Sequence, residues 1–297
     1  MDTLQTVSPC VSCPRHCHAQ REAGEGYCGM PWDLVVSRMA PHAWEEPPIS
    51  GSRGSGTVFF AGCNLRCIFC QNRVISHEKQ GKTMSPDALA EGILKLADTG
   101  VHNINLVTPT HYTPVIAKVL TGLKHKLTIP VVWNSSAYES PESLGMLEGL
   151  VDIYLPDFKF FSPTLSAEYA GAKDYREVAS VAIKAMYAQV GDPVFDEHGI
   201  MQKGMIVRHL VLPGCRKDSI DVLRHLSNLL PRQGFLLSLM RQYTHAYAMD
   251  TPYKNLHRTL TEFEYQSVAE EVQRLGFEGY YQGKDSADTA FTPNFLE

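Results

Sequence analysis

Residues 57–72 read TVFFAGCNLRCIFCQN, and this stretch decides the fold. Its first half is a short, nearly continuous apolar run, as expected of a strand covered on both faces. Its second half is a loop carrying Cys63, Cys67 and Cys70. A strand that runs straight into a reactive loop puts that loop at the C-terminal edge of a sheet, where α/β proteins place their chemistry. Five further runs of the same character follow: INLVT (104–108), PVVWNS (130–135), VDIYLPDF (151–158), MIVRHLVL (205–212) and GFLLSLM (234–240).

Amphipathic stretches at 85–100, 113–126, 140–149, 163–190, 217–231 and 261–276 separate these runs. The first opens on Ser85, Pro86 and Asp87, an N-cap followed by an N1 proline, and closes on Gly100. Pro141, Pro163 and Gly276 punctuate later ones, and 163–190 is long enough for two helices. Six strand–helix units, each about 40 residues long, with right-handed crossovers predict a wound parallel sheet over 57–297, either open or curled into a partial barrel. DPVFDEHGIMQKGM (192–205) reads as a hairpin turning at His198 and Gly199. The glycine-rich ISGSRGSGT (49–57) precedes a strand and lacks a Gly-Lys-Ser/Thr ending, so it is not a phosphate loop.

Residues 1–56 differ in character, being rich in Cys, Gly, Pro and His with only a strand-like run near Leu34 to Ser37. They are expected to form a small module folded around its ligands. Of the eight cysteines, four fall here with the spacing Cys10-x2-Cys13-x3-Cys17-x10-Cys28, three lie in the 63–70 loop, and Cys215 stands apart as a bystander. Four thiolates suffice for a closed tetrahedral zinc or for an iron–sulfur cluster. His16 and His18 flank Cys17 as substitute ligands, and Gly24, Gly26 and Gly29 supply turns. The spacing does not choose between zinc and an auxiliary cluster, but metal binding would contribute folding energy to so small a unit.

The chain has 297 residues, 44% hydrophobic and 20% charged, with a formal net charge of −5. These are globular values, and no basic field exists to draw the protein to nucleic acid or an anionic membrane. No apolar run approaches the roughly 18 residues of a membrane span, and MDTLQTVSPC lacks the regions of a signal peptide. A cytoplasmic location is expected.

The loop spacing Cys63-x3-Cys67-x2-Cys70 supplies three soft ligands. A zinc site with a distant fourth ligand is one reading; a four-iron cluster with one iron left open is the other. With Phe69 before the last cysteine, the loop resembles the signature of radical S-adenosylmethionine (SAM) enzymes. EEPPISGSRGSGTVFFAGCNLRCIFCQN (45–72) resembles the pyruvate formate-lyase activating enzyme group, and within it the PflX-like proteins, with similarity continuing to TPNF near the C-terminus. The resemblance implies a partial (β/α)6 barrel over 57–297 preceded by the cysteine-rich module 1–56. It also implies a [4Fe–4S] cluster on Cys63, Cys67 and Cys70, with SAM on the open iron. The implied activity is reductive cleavage of SAM to a 5′-deoxyadenosyl radical that abstracts hydrogen. The implied partners are a glycyl-radical enzyme or other peptide substrate, and a flavodoxin- or ferredoxin-type electron donor. The ferredoxin-like insert of some activating enzymes is absent. Two other functions stay open: a radical SAM enzyme acting on a small molecule or other peptide, and a non-catalytic, zinc-stabilised binding module.

Each strand end adds candidates. VTPTHYTP (107–114) offers Thr108, Thr110 and His111 where the wider superfamily carries Gly-Gly-Glu against the SAM amino group; a proline-ordered turn is the structural alternative. WNSSAY (133–138) offers Asn134 and Ser136 to a ribose or methionyl group, or to helix capping. In PDFK, Asp157 and Lys159 share a face by the period of two and resemble the Asp-x-Lys of the activating enzymes. Arg208 and His209 are polar residues inside an apolar strand, which is costly unless they are paired. Gln242 and Tyr243 follow the sixth strand.

Overall fold

The computed structural model describes residues 10–23, 26–283 and 295. Gly24 and the Thr292–Asn294 part of TPNF lie outside the described residues. In chain order the strands are β1 (Leu34–His42), β2 (Ser55–Phe60), β3 (Lys82–Met84), β4 (Ile104–Val107), β5 (Val131–Ser135), β6 (Ile153–Pro156), β7 (Val194–Phe195), β8 (Met201–Leu210), β9 (Leu236–Met240) and β10 (Gly279–Tyr281). The helices are α1 (Pro47–Ser50), α2 (Arg73–Ser76), α3 (Pro86–Asp98), α4 (Thr113–Leu123), α5 (Pro141–Gly145), α6 (Pro163–Ala170), α7 (Tyr175–Val190), α8 (Arg216–Leu229) and α9 (Glu262–Leu275).

The sheet order is β10-β9-β8-β6-β5-β4-β2-β1-β3, with β7 pairing β8. From β2 to β10 every neighbour is parallel. The strands follow one another in chain order, so each crossover steps to the next position and the sheet is mostly parallel, with the six expected strands adjacent. Three features go beyond the sequence expectation. The run near Leu34 is a nine-residue strand, antiparallel to β2 and carrying β3 on its far side. A seventh parallel strand, β10, follows α9 and pairs with β9. The sheet therefore begins upstream of residue 57 and ends downstream of the sixth unit.

Ser85 caps α3 by accepting from Ala88 N. The long stretch 163–190 is two helices, parted at Gly171, whose φ of +67° caps α6. A Cβ at Gly171 would lie 2.4 Å from Tyr27 Oη, so this turn needs glycine for backbone conformation and for space alike. The hairpin is present: Val194 pairs with Lys203, and Gly199 N donates to Asp196 O across the turn.

Period-two alternation divides the sheet. Val58, Phe60, Leu106, Trp133, Tyr154, Val207, Leu237 and Leu239 pack into the main core with the helices. On the other face Val132, Ile153, Leu155 and Ile206 form a smaller core with Met201 and with Ile49 of α1. Above it the same face turns polar. Among the described residues no helix is long and apolar enough to cross a membrane.

Residues 10–23 and 26–32 hold little regular structure and are fastened to the core by arginines. Arg21, 0% exposed, donates to the carbonyls of Met30 (3.1 Å), Pro31 (2.7 Å) and His111, with its guanidinium 4.1 Å over the Trp32 ring. Arg15 stacks 3.8 Å over Tyr27 and donates to Asn64 O at 2.7 Å and Gly171 O at 2.6 Å.

Candidate active site

A cavity of about 400 Å³ opens at the C-terminal ends of the parallel strands. Twelve residues expected at the site line it: Cys63, Cys67, Phe69 and Cys70 from the loop after β2, and Thr108, Asn134, Ser136, Asp157, Lys159, Arg208, Gln242 and Tyr243 from later strand ends. One loop and five strand ends thus converge because the strands are parallel and adjacent.

The cysteine loop is held as a rigid edge. Arg66 N and Ile68 N donate to Ala170 O (3.0 Å) and Tyr169 O (2.9 Å), beside the Gly171 turn. Asn64 Nδ2 donates to Tyr138 O at 2.7 Å, and Arg66 Nη2 to Tyr27 O at 2.6 Å. Phe69 is buried edge-on against Phe160. Leu65 N donates to Cys63 Sγ at 3.4 Å, and Ser76 Oγ lies 3.2 Å from Cys70 Sγ. Burial pushes the Cys63 thiol up to about 11 and the Cys67 thiol up to about 12, against the pull of Lys159 on Cys67. Such thiols are protonated without a metal and ionise when one binds. Three thiols from one loop, with N–H and O–H groups at two of the sulfurs, fit the ligation and outer-shell pattern of an iron–sulfur cluster.

Opposite the thiols lies a chain of charged groups. Lys159 Nζ is 2.6 Å from Asp157 Oδ2, Arg208 Nε is 2.7 Å from Asp157 Oδ1, and Arg208 Nη2 donates to Asn134 Oδ1 at 2.6 Å. Burial works to raise the Asp157 carboxyl, but Arg208 and Lys159 outweigh it and hold the group ionised below its usual range. Burial likewise works against the Lys159 ammonium, and Asp157 keeps it charged. Thr108 sits between these groups with φ +57°, a strained backbone for a β-branched residue, its N–H tied to Asn134 O at 2.9 Å.

Thr110 and His111 do not line the cavity. Both are 2% exposed: Thr110 Oγ1 donates to Glu139 Oε1 at 2.7 Å, and His111 Nε2 lies 2.8 Å from Ala61 O. Burial, aided by Arg21, pushes His111 down to about 3, so it is a neutral interior ring. The turn after β4 coils into a short 3-10 segment and carries both side chains into the core. His209 faces the same way, with Nδ1 2.7 Å from Phe158 O, opposite to Arg208 on the alternating strand.

Among the described residues no three His, Cys, Asp or Glu side chains gather closely enough for a single metal ion. A closed metal site on Cys10, Cys13, Cys17 and Cys28 is therefore not shown. Cys10, Cys13 and Cys28 are buried while Cys17 is exposed, between His16 and His18 in left-handed backbone (φ +39° and +51°). Cys215 is a buried lone thiol after the β8 turn.

Sequence reasoning missed Glu45 and Glu46, which line the same cavity from the link between β1 and α1. They are not at a strand end; their only sequence signal is an acidic pair ahead of Pro47 and Pro48. Ser238 and Tyr280, from β9 and the unexpected β10, complete that wall.

Comparison with known proteins agrees with this geometry. Residues 57–200 match the radical SAM superfamily, and the chain belongs to that superfamily. An uncharacterized protein of Methanocaldococcus jannaschii is 30% identical over 286 residues, 92% of this chain and 76% of that protein. Among solved structures, methylornithine synthase superposes with a TM-score of 0.52 at 13% identity, over 91% of this chain and 72% of its own. A radical SAM methyltransferase from Sphaerobacter thermophilus gives 0.50 at 12% identity, over 78% and 69%. At such identities the likeness is one of fold.

Proposed function

We propose that this chain is a radical SAM enzyme of the glycyl-radical activase type, which takes a hydrogen atom from a glycine of a partner protein. The observation that supports the reading is the meeting, in one cavity, of Cys63, Cys67 and Cys70 with the Asp157–Lys159–Arg208 chain. Cys63, Cys67 and Cys70 would hold a [4Fe–4S] cluster, which with SAM would supply reductive SAM cleavage and a hydrogen-abstracting radical. Lys159, kept charged by Asp157, offers its ammonium to the SAM carboxylate. Asn134 and Ser136 present amide and hydroxyl groups to the ribose or methionyl portion. Phe59, Leu65, Phe69 and Met240 make the walls between them apolar and limit water. Electrons come from a flavodoxin- or ferredoxin-type donor.

The test is formation of 5′-deoxyadenosine by the anaerobically reconstituted, reduced protein, together with a glycyl radical signal on a co-expressed partner. Cys67→Ala abolishes SAM cleavage; retained cleavage refutes the assignment. A second reading, action on a small molecule or another peptide, is favoured by the acidic wall at Glu45 and Glu46. It predicts SAM cleavage with no glycyl radical.

A further inference from the structure

Three carboxylates, those of Glu45, Glu46 and Asp157, line the cavity beside two cations, Lys159 and Arg208. The cations are distributed unevenly. Asp157 takes Lys159 at 2.6 Å and Arg208 Nε at 2.7 Å, and Asn134 takes Arg208 Nη2 at 2.6 Å. Glu45 has a long contact, 3.4 Å from Arg208 Nη1, and Asn105 beside it. Glu46 is 8% exposed, and its Oε2 has no hydrogen-bond partner. Behind Glu45, and outside the cavity lining, lies Asn105 of β4, 0% exposed. Burial raises both glutamate carboxyls; Arg208 pulls both down, helped by Asn105 at Glu45 and by Ser238 at Glu46.

Buried polar atoms are nearly always partnered, and a buried carboxylate is expensive without a cation. Glu46 Oε2, an orphaned acceptor of a residue on the cavity wall beside Glu45, marks the place of a missing donor. The donor that suits the place is compact and positively charged, since the wall presents two neighbouring carboxylates. A guanidinium suits the place less well, because the Arg208 guanidinium already occupies part of this wall.

We propose that Glu45 and Glu46 form a subsite for a primary ammonium group of the substrate. The inference rests on the reading that this cavity is where substrate meets the SAM-derived radical. A free amine and a peptide lysine share the chemistry, and the experiment separates them. Thermal unfolding of the reconstituted protein is followed at fixed ionic strength, with and without saturating SAM. One probe pair is 1,5-diaminopentane against 1,5-pentanediol; the other is a lysine-containing tetrapeptide against its norleucine counterpart.

The expected result is a rise in Tm with an amine of one pair and none with its neutral match, SAM being present. The pair that responds identifies the source. Glu46→Gln weakens the amine affinity at least tenfold, and Glu45→Gln, a second isosteric variant, does likewise. The ligand-free Tm of each variant shows that it is folded. No amine-dependent shift in either pair overturns the proposal. So does amine binding that SAM abolishes by competition, because the glutamates would then read the ammonium of SAM itself. Formation of 5′-deoxyadenosine without substrate is measured separately. Its absence refutes the SAM reading, while the amine titration without SAM still decides the subsite.

Discussion

The most exacting test of how the N-terminal segment is joined to the core is removal of the Arg21 guanidinium in Arg21→Met. The side chain is 0% exposed and donates to three carbonyls, those of Met30, Pro31 and His111. Methionine fills much of the aliphatic volume but donates nothing. Each hydrogen bond from a charged donor contributes about 1.5–3 kcal/mol, and each buried acceptor left unpaired costs about 1–3 kcal/mol. The stacking on Trp32 at 4.1 Å adds about 1 kcal/mol. Removal also spares the protein the desolvation of a buried cation, which offsets part of the loss. The expected net destabilisation is about 3–5 kcal/mol. Urea unfolding of the apoprotein, followed by far-ultraviolet circular dichroism and by the fluorescence of Trp32 and the other tryptophans, measures it. A change below about 1 kcal/mol with an unaltered m-value would mean that residues 10–32 are not part of the cooperative unit, and would refute the reasoning.

Acid should destabilise the protein through His111. Its folded value, about 3, lies below the ordinary 6.5, so the unfolded chain takes up the proton first. The contribution is complete above pH 6.5 and is lost as pH falls toward 3, with a slope of about 1.4 kcal/mol per pH unit for one proton. His111→Gln keeps an N–H for Ala61 O and cannot titrate, so the slope of urea-derived stability against pH drops by up to one proton; an unchanged slope contradicts the assignment. Lys159→Met removes the ammonium that Asp157 holds at 2.6 Å. SAM should bind at least tenfold more weakly by equilibrium dialysis, and wild-type affinity would take Lys159 out of the SAM site.

Much of this architecture was written in short-range patterns. The six parallel strands were legible because each is a run of apolar residues bounded by turn signals, and α3 because Ser85-Pro86-Asp87 is a complete start signal. β1 was only half legible: past Val36 it loses its apolar character, since one side of the strand is partly exposed. β10 was invisible, since three residues, Gly279–Tyr281, carry no period and owe their conformation to pairing with β9. At the site, residues at strand ends could be found by position alone. Thr110 and His111 misled because a local 3-10 turn, which no simple spacing announces, rotates them inward. Glu45 and Glu46 were missed because a link between an antiparallel strand and a four-residue helix reaches the cavity from the opposite direction in the chain.

The backbone bonds from Arg66 to Ala170 and from Ile68 to Tyr169 impose an order on biogenesis. They fasten the cysteine loop to a segment about a hundred residues downstream, so closing that contact needs a large ordering of intervening chain. A nascent polypeptide released only as far as β5 would present the three sulfurs on an untethered loop. The loop's backbone is thereby fully fastened only when α6 has emerged from the ribosome and docked.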